Sequence, residues 1–268
     1  FITDMQNPIT LMKAVSWHLK SEKCQLPVIF LIGGPRCGTT LLKQILSVSP
    51  DVACLKQECT TLFLCRSPRW HSEALKKEFT AREWPELQKS WTSPTGAFRG
   101  IAEMQRQKSG AHWYLDKLNT VRFYKPDFYL KNFPNAKYLF MTRDPRDAVA
   151  SAKTHVYLKT KSINQMASTW NDFTRFYLAM KKEVDIPVFT YESLTENPER
   201  ELTRAREALG IQLDIPSLLH GLDYAASESM AKTPGFERLR EDITASSVAK
   251  FKERLSQSEQ DSVSQICR

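Results

Sequence analysis

Residues 33–40 read Gly-Gly-Pro-Arg-Cys-Gly-Thr-Thr and follow directly on the apolar run Val28 to Ile32. A glycine-rich loop that opens a helix offers converging backbone N–H groups and the positive end of the helix dipole, which together bind phosphate. Gly34 and Gly38 let the backbone come close to a ligand, Thr39 and Thr40 add hydroxyl donors, and Pro35 and Cys37 complete the loop. A G-x-x-x-x-G-K-[ST] loop would carry lysine directly after Gly38. Here that place is Thr39, and Arg36 supplies the positive charge instead. No strong Walker-B carboxylate for magnesium stands out either. The expected ligand therefore carries a phosphate that is handled without the metal-dependent triphosphate apparatus.

A second basic turn lies at Arg143-Asp144-Pro145-Arg146, with Ser151 eight positions after Arg143. Arginine suits phosphate because its planar fork binds two oxygens at once. Arg146 either assists at such a site or pairs with a helix carboxylate.

Both turns need a strand before them and a helix after them, and the sequence supplies these. "QLPVIFLIGG" reads as a buried parallel strand, and "TTLLKQILSV" as a helix with Leu41, Leu42, Ile45 and Leu46 on one stripe. "DVACLKQECTTLF" allows a short strand and then a polar segment around Glu58. Tyr138 to Thr142 repeats the strand; Asp144 suits a helix cap, with Pro145 as first helical residue. Trp170, Phe173, Tyr177 and Met180 form a stripe expected to lie in the core. "DIPVFTYESL" reads as a further strand, and "NPERELTRAREALG" as a helix ended by Gly210. The tail after residue 245 reads as one or two amphipathic helices. Residues 66–113 hold Trp70, Trp84, Trp91 and Trp113 among many charges, and "HWYLDK" closes that stretch. They are expected to cap the sheet rather than to join it. The fold expected is α/β in three layers, with a central parallel sheet in one domain over 1–268. Ligands of such sheets bind at the carboxyl ends of the strands.

On these residues the chain resembles sulfotransferases that use 3′-phosphoadenosine 5′-phosphosulfate. "GGPRCGTTLL" is similar to the family's 5′-phosphosulfate loop, and "YLFMTRDPRDAVAS" to its 3′-phosphate segment, in which an arginine ends a strand and a serine sits eight positions later. The resemblance implies a P-loop-like fold and a donor nucleotide, with adenosine 3′,5′-bisphosphate as the product. It places Arg36, Thr39 and Thr40 around the 5′-phosphate, and Arg143 and Ser151 on the 3′-phosphate. Tyr191, which opens "YESL", counts with the donor-binding residues, as do Ser247 and Lys250 in the tail. In the Golgi-type and bacterial branches a glutamate shortly after the first helix is the base, and that glutamate here is Glu58. The neighbouring Cys59-Thr60-Thr61 departs from the aromatic or histidine run usual there. His112 and His155 are rivals by analogy with the cytosolic aryl branch. Lys117 faces the acceptor or the sulfuryl oxygens, or else pairs with Asp116 on a surface.

Composition is that of an ordinary globular protein, with 268 residues, 41% hydrophobic and 25% charged. The formal charge of +8 favours anionic ligands without naming them. Six cysteines show no C-x-x-C pair and no zinc spacing. There is no N-x-[ST] sequon and no long apolar span, so no transmembrane segment is expected in this chain. A cytoplasmic location is the expectation, although a first residue of Phe1 leaves room for a trimmed targeting or Golgi anchor segment. The reaction expected is in-line sulfuryl transfer to a hydroxyl or amine, on a small-molecule acceptor, with no metal required and no nucleic acid as partner. A small-molecule kinase on a P-loop, or a non-catalytic binder of sulfated polysaccharide or nucleic acid, are the alternatives.

Overall fold

The computed structural model describes residues 20, 22–60, 75–119, 121–122, 125–156, 158–219 and 243–267. Among the described residues five strands form one sheet in the order β2-β3-β1-β4-β5: β1 (Val28–Ile32), β2 (Val52–Ala53), β3 (Trp113–Leu118), β4 (Lys137–Thr142) and β5 (Val188–Thr190). Strands alternate with helices, which is the α/β grammar expected from the sequence. Contacts group the chain into two compact units, one drawn from 1–29 and 51–136, the other from 30–50 and 137–268.

In the first unit, β2 and β3 pair in parallel, with Val52 opposite Trp113 and Ala53 opposite Tyr114. Tyr114 N–H also donates to the Pro27 carbonyl at 3.0 Å. Helices α2 (Glu83–Lys89), α3 (Pro94–Ser109) and α4 (Pro126–Asn132) belong to this unit, with α1 assigned below. Ser93 Oγ accepts the Gly96 N–H at 2.9 Å, Pro94 takes the first helical position, and Gly110 ends α3 at φ 72. The buried face of α3 packs Phe98 edge-on against Tyr114 and Phe133. Trp84 and Trp91 meet edge-to-face at 5.1 Å, so these two aromatics of the expected cap pack on each other. Trp70 lies outside the described residues.

Trp113 to Lys117 correct the sequence reading, because they belong to sheet strand β3 and not to a cap. Tyr114, Leu115 and Asp116 are all buried, and a buried carboxylate followed by a lysine hides the strand from a hydrophobic pattern.

In the second unit, residues Phe30–Ile32 of β1 run through the glycine loop into α1 (Thr39–Leu46). All five β1 residues are buried, each contributing about 1.5–3 kcal/mol on leaving water. β4 leads into α5 (Pro145–Lys153), which is followed by α6 (Ile163–Met180). β5 pairs with β4 in parallel, Phe140 opposite Val188, and continues into α7 (Tyr191–Glu196), α8 (Pro198–Leu209) and α9 (Ile215–Leu219). A 3₁₀ turn at Ala245–Ser247, α10 (Phe251–Arg254) and α11 (Gln257–Ile266) also belong to it. Capping boxes start α6 at Ser162 and α11 at Ser256. Val149, Ala152, Met166, Ala167, Phe251 and Val263 form one buried cluster that fastens the tail to α5 and α6.

The "YESL" stretch departs from expectation. Thr190 Oγ1 accepts the Ser193 N–H at 3.0 Å, which ends the strand and caps a helix, so Tyr191 is a first-turn residue.

Candidate active site

The glycine loop occupies the turn between β1 and α1. An added Cβ at Gly33 would stand 2.4 Å from the Met141 carbonyl oxygen and 2.5 Å from Thr39 Cγ2, so the backbones of β1 and β4 meet there with no room for a side chain. Gly38 is the helix N-cap at φ 93, a conformation suited to glycine. Among the described residues no side chain caps α1, and its first turn holds no acid, so the positive helix end is left for a ligand. Cys37 is buried, and burial pushes its thiol up to about 12 against the opposing charge of Arg143. It stays protonated near neutrality and serves as packing, not as a nucleophile.

Arg36 takes a left-handed backbone at φ 65, which costs on the order of 1 kcal/mol outside glycine. Two contacts hold it there. Its Nε donates to Ser151 Oγ at 3.0 Å, and its carbonyl accepts from Arg143 Nη1 at 3.3 Å. The side chains of the glycine loop and of the helix after β4 thus meet, although Arg36 and Ser151 lie 115 positions apart in sequence.

Arg143 is 7% exposed at the end of β4. Its Nη2 donates to the Ser247 carbonyl, its guanidinium lies 4.3 Å from the Tyr191 ring centroid, and Trp170 Nε1 donates to its carbonyl at 3.0 Å. Arg143 Nε is buried with no hydrogen-bond partner among the described residues. A guanidinium with one buried donor unanswered is suited to receive an anion. The Tyr191 ring also closes over Gly38: a Cβ there would lie 2.8 Å from Tyr191 Cδ2.

Asp144 caps α5 by accepting the Arg146 N–H at 2.8 Å, and the same carboxylate pairs with the Arg146 guanidinium at 2.6 Å. Burial pushes the Asp144 carboxyl up, but the hydrogen bonds from Arg146 bring it below the usual range. Arg146 therefore pairs with a helix carboxylate, one of the two roles expected. Lys250 pairs with Glu253 at 3.1 Å, and of Ser247 it is the carbonyl that reaches Arg143. His155 is buried just beyond α5, and burial followed by the nearby Arg36 charge lowers its pKa.

Glu58 and Lys117 belong to the first unit, where they form an ion pair. Asn119 Nδ2 donates to the second Glu58 oxygen at 3.4 Å. The segment around the glutamate is tied to the end of β3: Asp116 accepts the Thr60 N–H at 2.8 Å and the Lys117 N–H at 2.9 Å. Thr60 Oγ1 donates to the Lys117 carbonyl at 2.5 Å, and Cys59 Sγ lies 3.0 Å from Tyr114 Oη. Cys59 and Thr60, the residues departing from the family's usual run, are fully buried anchors for Glu58. Asp116 answers two backbone amides, and Lys117 pairs with Glu58. His112 is exposed, with its ring edge-on to Trp113.

Two residues escaped the sequence reading. Trp170 was expected as core and instead bonds the Arg143 carbonyl. Asp147 received no role, yet it is 1% exposed beside Arg143. Its signal was a carboxylate one helical turn after the strand-ending arginine.

A strand, an uncapped glycine loop and an arginine turn on the adjacent strand define an α/β protein of the P-loop-like class. The chain belongs to the Sulfotransferase family, whose profile matches residues 27–215. That span holds the glycine loop, the Arg143 turn, Glu58, Lys117 and Tyr191. Over 208 residues the chain is 30% identical to Protein-tyrosine sulfotransferase A of Caenorhabditis elegans, covering 72% of this chain and 52% of that protein. It thus spans about half the length of that relative. The sulfotransferase domain from the Synechococcus PCC 7002 olefin synthase shares the fold at a TM-score of 0.70 and 19% identity, covering 94% of this chain and 96% of that one. Retinol dehydratase, solved with androsterone and inactive cofactor PAP, shares it at a TM-score of 0.55 and 13% identity, over 96% and 83% of the two chains.

Proposed function

We propose that the chain takes 3′-phosphoadenosine 5′-phosphosulfate as donor, moves its sulfuryl group to an acceptor hydroxyl and releases adenosine 3′,5′-bisphosphate. The observation that carries this reading is the Arg36 Nε to Ser151 Oγ bond at 3.0 Å, through which donors of two phosphate motifs converge. Family membership and the fold shared with a PAP-bound protein support it.

In the reaction, a bond forms between the acceptor oxygen and sulfur as the bond from sulfur to the 5′-phosphate oxygen breaks, and that oxygen keeps the electron pair. Arg36, the α1 N-terminus and the Thr39 and Thr40 hydroxyls stabilise the charge growing on the leaving phosphate. Arg143 and Ser151 hold the 3′-phosphate, with Tyr191 supporting Arg143. Glu58 takes the acceptor proton, and Lys117 pairs with its carboxylate. No metal takes part, because arginine and helix dipole already meet the phosphate charge.

The names of the curated relatives favour a peptide tyrosine as acceptor, beside the small-molecule hydroxyl expected from the sequence. A phenol suits a carboxylate base in either setting. The test supplies radiosulfur-labelled donor, with a chelator present, to tyrosyl peptides and separately to small phenols and alcohols. Label in an acceptor is the expected result. Failure of transfer to every acceptor, or transfer that stops with the chelator, overturns the reading or its metal-free form respectively.

A further inference from the structure

Arg143 is held in part by a segment from the far end of the chain. The carboxylate of Asp147, the third residue of α5, is filled from outside its own helix: Oδ2 accepts the Ala249 N–H at 2.7 Å, and Oδ1 accepts the Phe251 N–H at 2.9 Å. Between them the backbone makes a left-handed turn at Ala249, φ 59, a conformation that L-residues adopt only when their surroundings impose it. The same segment delivers the Ser247 carbonyl to Arg143 Nη2, and Asp147 Oδ2 stands 3.8 Å from that nitrogen. Phe251 in turn lies under the Arg146 guanidinium at 4.0 Å. A carboxylate this deeply buried is tolerated because two amides and a guanidinium answer it.

We propose that Asp147 is a positioning residue for the donor nucleotide. It folds residues 249–251 onto α5, so that the Ser247 and Arg36 carbonyls fix the two Nη groups of Arg143 and leave Nε for a phosphate. The inference rests on the donor reading above and adds to it a residue that never touches the nucleotide. It also predicts a sign. By Coulomb attraction alone, removing a negative charge from beside Arg143 strengthens anion binding. If the carboxylate instead positions the arginine, its removal weakens binding.

The experiment compares the unaltered protein with Asp147→Asn, which keeps the shape and one acceptor oxygen but loses the charge. Calorimetry is expected to show the affinity for adenosine 3′,5′-bisphosphate falling about tenfold, the size of one charge-assisted hydrogen bond. Affinity for adenosine 5′-monophosphate should hold, and the donor KM should rise while kcat stays. Bisphosphate affinity that is unchanged or tighter in the variant overturns the proposal. So does an equal loss for both nucleotides, which is what mere loosening of the fold would give. Should the variant not fold, hydrogen exchange on the unaltered protein decides. Saturating bisphosphate is expected to slow exchange at the Ala249 and Phe251 amides, and unchanged exchange there overturns the role. A bisphosphate that fails to bind the unaltered protein sinks the donor reading itself, and the positioning role with it.

Discussion

Glu58 and Arg143 carry opposite halves of the proposed chemistry, and their substitution should separate binding from turnover. Glu58 lies in an ion pair with Lys117, on a segment that Asp116 ties to β3, so Glu58→Gln leaves the local scaffold in place. Turnover is expected to fall about 10²- to 10⁴-fold, the usual worth of a general base, with bisphosphate affinity unaltered. Single-turnover kinetics beside calorimetry check this, and retained turnover would remove Glu58 as the base. Arg143→Ala should weaken adenosine 3′,5′-bisphosphate binding far more than 5′-monophosphate binding, because its unanswered Nε is the donor suited to the extra phosphate. Equal losses in a titration of the two nucleotides would mean that Arg143 does not read the 3′-phosphate. At this scale the sequence was most informative where a residue's chemistry is rare in its setting, as with Arg36 and Arg143 at strand ends. It was least informative for Asp147 and Trp170. An aspartate in a first turn is an ordinary helix residue, and a tryptophan at helical spacing is an ordinary core residue. Only the packed tail and the Arg143 carbonyl reveal their partners.

Among the elements, β1 and β4 were legible because buried parallel strands read as unbroken apolar runs. The turns after them were legible because glycine and proline there answer local steric demands. Gly38 is the sharpest case. At φ 93, alanine would adopt a left-handed backbone and press its Cβ to 2.8 Å from both Met141 Cε and Tyr191 Cδ2. Gly38→Ala is expected to lower stability by about 1–3 kcal/mol in denaturant titration and to weaken bisphosphate binding with it. β3 and α7 were not legible, for reasons that differ. In β3 the sequence Trp-Tyr-Leu-Asp-Lys-Leu breaks the apolar run with a carboxylate, and burial of Asp116 draws on the Thr60 amide of another segment. In α7 the local preference of Val-Phe-Thr-Tyr is for strand, and one hydroxyl bond from Thr190 redirects the chain. In β3 tertiary context outweighs local pattern, and in α7 a local cap outweighs strand propensity.

For the whole molecule, stability should report on a buried imidazole. Burial and the Arg36 charge lower the His155 pKa in the folded state. Well above the ordinary histidine value, both folded and unfolded forms are neutral there and nothing is lost. As pH falls through about 6.5 the unfolded chain takes up the proton first, so stability falls until folded His155 titrates as well. His155→Gln should therefore flatten the fall in melting temperature between about pH 7 and pH 5, compared with the unaltered protein over the same range. A variant whose curve runs parallel to the original would show that His155 does not titrate in that window. The Trp170 indole, bonded to the carbonyl of Arg143 and with its backbone close to Gly34, has an optical consequence of its own. Among the described tryptophans it is the one wired to the arginine, so a phosphate arriving there should shift the Trp170 share of the emission, which Trp170→Phe would remove.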